Sequence, residues 1–306
     1  MKPTIRIGSQ GAYVIEAQQD LNNAGFKIGI DGFFGGATES AVKQFQKSLG
    51  MVQDGIVGPN TWAGLDKFSE NPNQAFSPIV DEYIPLLQGE YIAERSQKLG
   101  ICYHHTVSDG NPEAVVRSWN GDSRGGVATH FIIGREMLSG DTSHDGEIIQ
   151  CLPLEFWAHH ILTTRMGFSS YHNSTVNKSY VGIELCSWGC LQKEGDKFYT
   201  LDGRIPIPSD QVCTLDTPFR TYKYWHKYTE KQMSALEKLT TELSKKLGLN
   251  LSQGWAESEP AGPLWWELSW EAMALRRVLT THTNFEYGKF DTFPQPEFID
   301  LIKKIT

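Results

Sequence analysis

Apolar residues recur at helical spacing three times within the first 65 residues. In AYVIEAQQDLNNAG, Val14, Ala17, Gln18 and Leu21 share one face and Gly25 offers a stop. In ATESAVKQFQKSLG, Ala41, Val42, Phe45 and Leu49 make a second apolar face, closed by Gly50. GPNTWAGL opens a third short helix with Trp62 and Leu65 inward. Between these helices DGFFG at Asp31–Gly35 returns as DGIVG at Asp54–Gly58, an internal repeat built on Asp-Gly turn chemistry. Three short helices bury only a small core, so this module should be modestly stable by itself.

The pattern changes after a polar stretch, FSENPNQAFSP, that reads as a linker over 68–80. LGICYHHT, Leu99–Thr106, is a buried strand that ends in polar residues. NPEAVVRSWNG predicts a helix with Asn111 as N-cap and Pro112 in its first position. ATHFIIGRE and GEIIQCL read as short strands, and YVGIELCSW as another, with Val181, Ile183 and Leu185 alternating against Gly182, Glu184 and Cys186. YTEKQMSALEKLTTELSKKLG is a long helix with a Thr229/Gln232 capping box, an apolar face of Met233, Leu236, Leu243 and Leu247, and a stop at Gly248. Strands interleaved with helices predict an α/β domain over 81–306, a central mixed sheet flanked by helices, following a small all-α domain over 1–67. The stretches from Gly189 to Lys227 and from Ser252 to about Arg277 read as excursions from that core.

Composition narrows the function. The 306 residues are 40% hydrophobic and 21% charged, ordinary for a globular protein. A net charge of −8 argues against nucleic acid as a partner. No apolar run is long enough to span a bilayer, and MKPTIRIGSQGAY lacks the apolar core of a secretory signal. The expectation is synthesis in the (host) cytoplasm, action on the cell wall after release or from a virion, and a monomer. Five irregularly spaced cysteines argue for free thiols rather than a disulfide scaffold.

The candidate chemistry lies at two places. His104 and His105 end the first strand, and since successive strand residues face opposite sides, only one of them should reach a given metal. THTNFEYGKFDTF carries His282, Lys289 and Asp291 in one late loop. Two histidines and a carboxylate leave a fourth corner of a zinc ion open, as a hydrolase needs. By itself the pattern is compatible with ordinary surface and core histidines.

Two resemblances sharpen it. The segments GAYVIEAQQDLNNAGF, DGFFGGATESAVKQFQ and DGIVGPNTWAGL resemble the three-helix peptidoglycan-binding domain, which implies bacterial peptidoglycan as partner; a spacer or dimerisation element is the plainer reading. A calcium-loop reading of the Asp-Gly turns lacks the alternating oxygen ligands. The order ICYHHT, ATHFII, DGEIIQ, AHH, YVGIEL, YTEKQMSAL, THTNFEYGKFD resembles the type-2 N-acetylmuramoyl-L-alanine amidases, which include peptidoglycan recognition proteins and many phage endolysins, over about Gly89 to Pro294.

That resemblance implies Zn2+ held by His104, His282 and Asp291, with Lys289 beside the substrate carbonyl and Glu184 moving the proton from water to the leaving amine. It implies a substrate contact at His160, with His159 as its confusable neighbour, and a structural role for His130; His105 would stand behind the ligands. Plainer readings remain for two of these: Glu184 as the polar face of an edge strand, and Lys289 as a solvated loop residue. Thr129 stands where some members carry a catalytic tyrosine, which puts more weight on Glu184. His144 and Asp145 fall in a turn and should be solvated. Trp255, Trp265, Trp266 and Trp270 are candidates for a sugar-stacking groove or, more simply, for packing. The activity implied is cleavage of the amide between N-acetylmuramic acid and L-alanine. A non-catalytic recognition protein and a zinc endopeptidase acting on the stem peptide are the alternatives; no HExxH helix is present for the latter.

Overall fold

The computed structural model describes residues 2–66, 76–87, 89–123, 125–163, 167–254 and 263–306. The chain divides into two compact units, Met1–Gln74 and Ala75–Thr306. The linker expected over 68–80 lies largely outside the described residues, as does Trp255.

The first unit is all-α: α1 (Ala12–Asn23), α2 (Gly36–Ser48) and α3 (Pro59–Leu65). Val14, Leu21, Phe34, Val42, Phe45, Trp62 and Leu65 form its core. Leu49, expected on the apolar face of α2, instead is 37% exposed, because the helix ends at Ser48 and Leu49 caps it. The repeat has a physical basis that its spacing alone does not reveal. Gln18 is buried in α1; its Nε2 donates to Asp31 Oδ1 at 2.9 Å, to the Phe33 carbonyl and to Thr38 Oγ1, and its Oε1 accepts from the Asp31 and Gly32 amides. Gln46 in α2 repeats this with Asp54 Oδ1 at 2.7 Å, the Ile56 carbonyl, Thr61 Oγ1 and the Gly55 amide. One glutamine thus ties each Asp-Gly turn, whose glycine sits at positive φ (72° at Gly32, 73° at Gly55), to the start of the next helix. Oδ1 of each aspartate accepts from the glutamine amide and from a backbone amide two residues on, Phe33 or Ile56.

The second unit is built on a six-stranded mixed sheet. Its strands are β1 (Glu82–Tyr83), β2 (Gly100–His105), β3 (Phe131–Ile133), β4 (Ile148–Gln150), β5 (Tyr180–Leu185) and β11 (Leu279–Thr281), in the order β1-β4-β3-β5-β2-β11. Every neighbouring pair is parallel except β3 with β4. Helices α4 (Pro112–Asn120), α5 (Ser170–Ser179), α6 (Glu230–Leu247), α7 (Trp270–Met273) and α8 (Pro296–Ile305) accompany it. Asn111 caps α4 through the Ala114 amide with Pro112 in the first turn, and the Thr229/Gln232 box and Gly248 bound α6, as the sequence predicts. Ile101, Tyr103, Ile183 and Leu185 pack with Leu236, Leu239, Phe298 and Ile302 of α6 and α8, while Cys102 joins a separate cluster with Ile161, Tyr180 and Phe285. Successive residues of β2 thus enter different cores, as the pleat requires. Because β5 lies between β3 and β2, it is central, not an edge, and is buried throughout except at Glu184.

The excursion after Gly189 is itself a sheet. β6 (Cys190–Glu194), β7 (Lys197–Thr200), β8 (Pro206–Ile207), β9 (Val212–Phe219) and β10 (Tyr222–His226) form a second, antiparallel sheet in the order β8-β7-β6-β10-β9. Trp265 and Trp266 are buried in the main core, so packing accounts for them, whereas Trp270 is 71% exposed. His144 and Asp145 are mostly shielded from solvent, contrary to expectation: His144 Nδ1 meets Glu147 Oε2 at 2.6 Å, and Asp145 accepts from the Thr229 hydroxyl at the N-terminus of α6. All five cysteines are free thiols. Among the described residues no helix is long and apolar enough to cross a membrane.

Candidate metal centre

β2 and β11 run side by side and parallel, with Thr281 paired to Tyr103. The next residue on each, His104 and His282, therefore emerges at the same level of the sheet, and the loop after His282 returns Asp291 to them. His104 Nδ1 lies 3.1 Å from His282 Nδ1 and 3.3 Å from Asp291 Oδ2, and His282 Nδ1 lies 2.9 Å from the same oxygen. All three residues are buried. Zinc–nitrogen and zinc–oxygen bonds of about 2.0–2.2 Å place neighbouring corners of a tetrahedron roughly 3.3 Å apart, so this triangle of donors fits such an ion. Two imidazoles and one carboxylate are also the donor types zinc takes. Cys186 and Cys190 belong to no metal-competent cluster among the described residues.

The electrostatics suit the donors. Burial opposes charge on His104 and holds its pKa down at about 4, so it is neutral with a lone pair to give. Burial works against the Asp291 carboxylate as well, but His282 and the close approach of both imidazoles to its Oδ2 outweigh it and hold its pKa well below the usual carboxylate range. His282 is also penalised by burial, yet the attraction and hydrogen bond of Asp291, with the Glu286 carboxylate nearby, leave its pKa raised. Glu286 Oε2 sits 3.6 Å from His282 Nε2, the ring atom turned away from the donor triangle.

His105 points to the other side of β2, where its Nδ1 meets the Tyr228 hydroxyl at 3.1 Å. His130 is wholly buried; its Nε2 donates to the Phe156 carbonyl at 3.0 Å and its Nδ1 accepts from the Gly182 amide at 3.1 Å, a structural arrangement. The Thr129 hydroxyl is spent on the Phe131 carbonyl. His160 Nδ1 lies 2.9 Å from His104 Nε2, and its ring Nε2 lies 3.3 Å from the Tyr180 carbonyl. His159 lies beside it on a half-exposed stretch.

A cavity of about 420 Å³ opens over the triangle, and Glu184, Lys289, Trp119, Val127 and Phe290 line it together with the donors. Glu184 is paired in register with His104 on the adjacent strand, and its Oε2 is buried without a hydrogen-bond partner among the described residues. Burial, then repulsion from Asp291, pushes its pKa up to about 8, while His282 and Lys289 pull the other way.

Two contributors escape a reading of the sequence. Glu286 follows His282 by four residues in a loop with no periodic signal. Asn177 holds the strand-like segment that carries His160: its Oδ1 accepts from the His160 and Ile161 amides at 2.7 and 2.9 Å, and its Nδ2 donates to the Ile161 carbonyl. An asparagine four residues after another, at Asn173 and Asn177 on α5, both buried, is the one sign the sequence offers.

Two family profiles match the chain: a peptidoglycan binding domain over residues 10–65 and N-acetylmuramoyl-L-alanine amidase over residues 95–259. The chain belongs to the N-acetylmuramoyl-L-alanine amidase family. The amidase match contains His104, His160 and Glu184 and stops before His282, Lys289 and Asp291. Among curated relatives, the N-acetylmuramoyl-L-alanine amidase CwlL of Bacillus licheniformis is 28% identical over 156 residues, covering 46% of this chain and 42% of its own. A spore cortex-lytic enzyme of Oceanobacillus iheyensis is 32% identical over 126 residues, covering 41% of this chain and 40% of its own. The solved structure of PlyL aligns with 73% of this chain and 94% of its own at 14% identity and a TM-score of 0.40. The chain spans less than two thirds of the length of the curated relatives it matches.

Proposed function

We propose that this protein is a zinc-dependent peptidoglycan hydrolase that cleaves the amide between N-acetylmuramic acid and the L-alanine of the stem peptide, acting as a bacteriolytic lysin of the endolysin kind. The observation that carries this reading is the convergence of His104 Nδ1, His282 Nδ1 and Asp291 Oδ2 within 3.3 Å of one another at the floor of an open cavity. These three residues would hold the zinc. When bound, the metal supplies Lewis acidity, polarising a carbonyl and bringing the pKa of water from 15.7 toward 7.

The chain's own groups do the rest. Glu184 Oε2, unpartnered and facing the cavity, takes the proton of the attacking water and delivers it to the departing alanine nitrogen. To accept that proton Glu184 must be ionised: burial and Asp291 oppose this, while His282, Lys289 and the charge of a bound metal would favour it. Lys289, on the rim of the same cavity, offers its ammonium to the negative charge that develops on the carbonyl oxygen. The apolar wall of Trp119, Val127 and Phe290 excludes water and offers a face to a sugar ring or the lactyl group. The first unit would hold the enzyme on the wall, so that cleavage becomes effectively intramolecular.

The test is digestion of purified wall by the zinc-loaded protein. New alanine amino termini support the assignment. Reducing sugars would indicate a glycosidase, and termini from within the stem peptide would indicate a peptidase.

A further inference from the structure

Of the two ring nitrogens of His104, one faces the metal donors and the other faces His160. An imidazole that gives its Nδ1 lone pair to a metal carries its proton on Nε2. In a residue only 2% exposed that N–H needs an acceptor. His160 Nδ1 stands 2.9 Å away, with the two ring planes at 76°, an edge-on approach suited to N–H···N. His160 Nδ1 can accept only if its own proton is on Nε2, and Nε2 lies 3.3 Å from the Tyr180 carbonyl, which accepts. With a metal on His104 Nδ1, the protons would run along one line: His160 donating to Tyr180 and His104 donating to His160.

Two further features hold His160 in this pose. Its amide and that of Ile161 are both fixed by Asn177 Oδ1. Gly182 provides the room: a Cβ there would fall 2.7 Å from Thr129 Cγ2 and 3.1 Å from His160 Nδ1.

We propose that His160 is a positioning residue for the metal centre, accepting the Nε2 proton of His104 and so fixing the tautomer and ring orientation that present Nδ1 to the ion. This rests on the reading of His104, His282 and Asp291 as metal ligands. It departs from the substrate-contact role implied by family resemblance, because both His160 ring nitrogens are already engaged and neither is left for a ligand in the cavity. Outer partners of this kind typically govern metal affinity by 10–100-fold. A competing arrangement exists, since Cys102, His104 and His160 also bring three ligand atoms within 4.8 Å, and a second ion there would replace the hydrogen bond.

The experiment is a zinc titration of the full chain against a competing chelator, with the wild type, His160→Phe and His160→Gln. The Phe variant fills the space without an acceptor and should bind zinc about 10–100-fold more weakly. The Gln variant keeps an acceptor and should recover most of that loss. In the zinc-loaded wild type, nitrogen-15 NMR should show a slowly exchanging His104 Nε2 proton coupled across the hydrogen bond to His160 Nδ1; this readout needs no variant to fold. Wild-type affinity in His160→Phe, or a His104 Nε2 proton with no coupling to His160, would overturn the proposal. So would two zinc equivalents, the second lost in Cys102→Ser. If the wild type itself takes up no zinc, the ligand assignment fails and this proposal fails with it; if the wild type binds one zinc that His282→Ala loses, only the role of His160 remains at issue.

Discussion

Glu184 and His104 stand opposite each other on neighbouring parallel strands, paired in register in the middle of the main sheet. Residues so paired send their side chains to the same face, so the Glu184 carboxylate and the His104 imidazole share one floor by backbone geometry alone. The arrangement costs stability, because Glu184 Oε2 is buried there without a partner.

That cost predicts a stability–activity trade at one position. The folded-state pKa of Glu184 is raised to about 8 from 4.5. Its protonated form is therefore favoured by folding; the contribution is complete below pH 4.5 and is lost as the pH rises through about 8. Glu184→Gln removes this dependence. In chelator-treated protein the variant should melt at the same temperature as the wild type near pH 4.5 and progressively higher by pH 8, the difference growing by at most about 1.4 kcal/mol per pH unit. The same variant should retain zinc and lose roughly 10²–10⁴-fold in wall cleavage. Parallel melting curves at all pH values would show that Glu184 is not held in this environment.

Metal removal makes a second, independent prediction. Three donors drawn from β2, the end of β11 and the following loop come together only in the folded chain, so a bound ion stabilises it by mass action, by about 2.7 kcal/mol at a hundredfold excess over Kd. A chelator should lower the melting temperature of the wild type and abolish wall cleavage. His282→Ala should already melt at the lower temperature and show no further response to chelator. A chelator response that persists in His282→Ala would place the ion elsewhere.

Much of this was legible in the sequence, and the reasons differ by element. The capping box at Thr229 and Gln232 and the Asn111–Pro112 start are local signals read within four residues, and both helices begin where those signals stand. His104, His282 and Asp291 could be selected because family resemblance supplied contacts that sequence distance hides. Composition does not encode whether a strand is central: the pattern around Glu184 fits an edge equally well, and only the sheet order, with β3 and β2 on either side, makes β5 central. The five-stranded sheet after Gly189 leaves little trace in the sequence, since its strands are short, mixed in polarity and stabilised by pairing with one another. The shielding of His144 and Asp145 has no local sequence signal, because their partners, Glu147 and Thr229, are a loop glutamate and a helix cap whose approach depends on the fold.

The two glutamines of the small unit carry a prediction about its stability. Gln18 and Gln46 each make hydrogen bonds at both ends of the amide, to a turn aspartate, a carbonyl and a threonine hydroxyl. Replacing either by Leu strands the amides of Gly32 or Gly55, and each lost or unmet bond costs about 1 kcal/mol, so Gln18→Leu and Gln46→Leu should destabilise the unit by roughly 2–4 kcal/mol. Gln44→Leu, on the exposed side of α2, should change it by less than about 0.5 kcal/mol. The measurement is denaturant unfolding alongside sedimentation with purified wall, which the first two variants should weaken and the third should not.

Lys289 tests the charge assignment above the metal donors. It lines the cavity beside Asp291, and its field reaches His104, His282 and Glu184. If its ammonium meets charge that arises only in the transition state, Lys289→Met should lower kcat by about 10²–10³-fold while leaving KM and zinc affinity near their wild-type values. Lys289→Arg keeps the charge but moves it outward on a broader, planar head, and should recover part of the rate. A rise in KM at constant kcat would instead make Lys289 a ground-state contact to the substrate, and the stabilising charge would have to be sought in the zinc site itself.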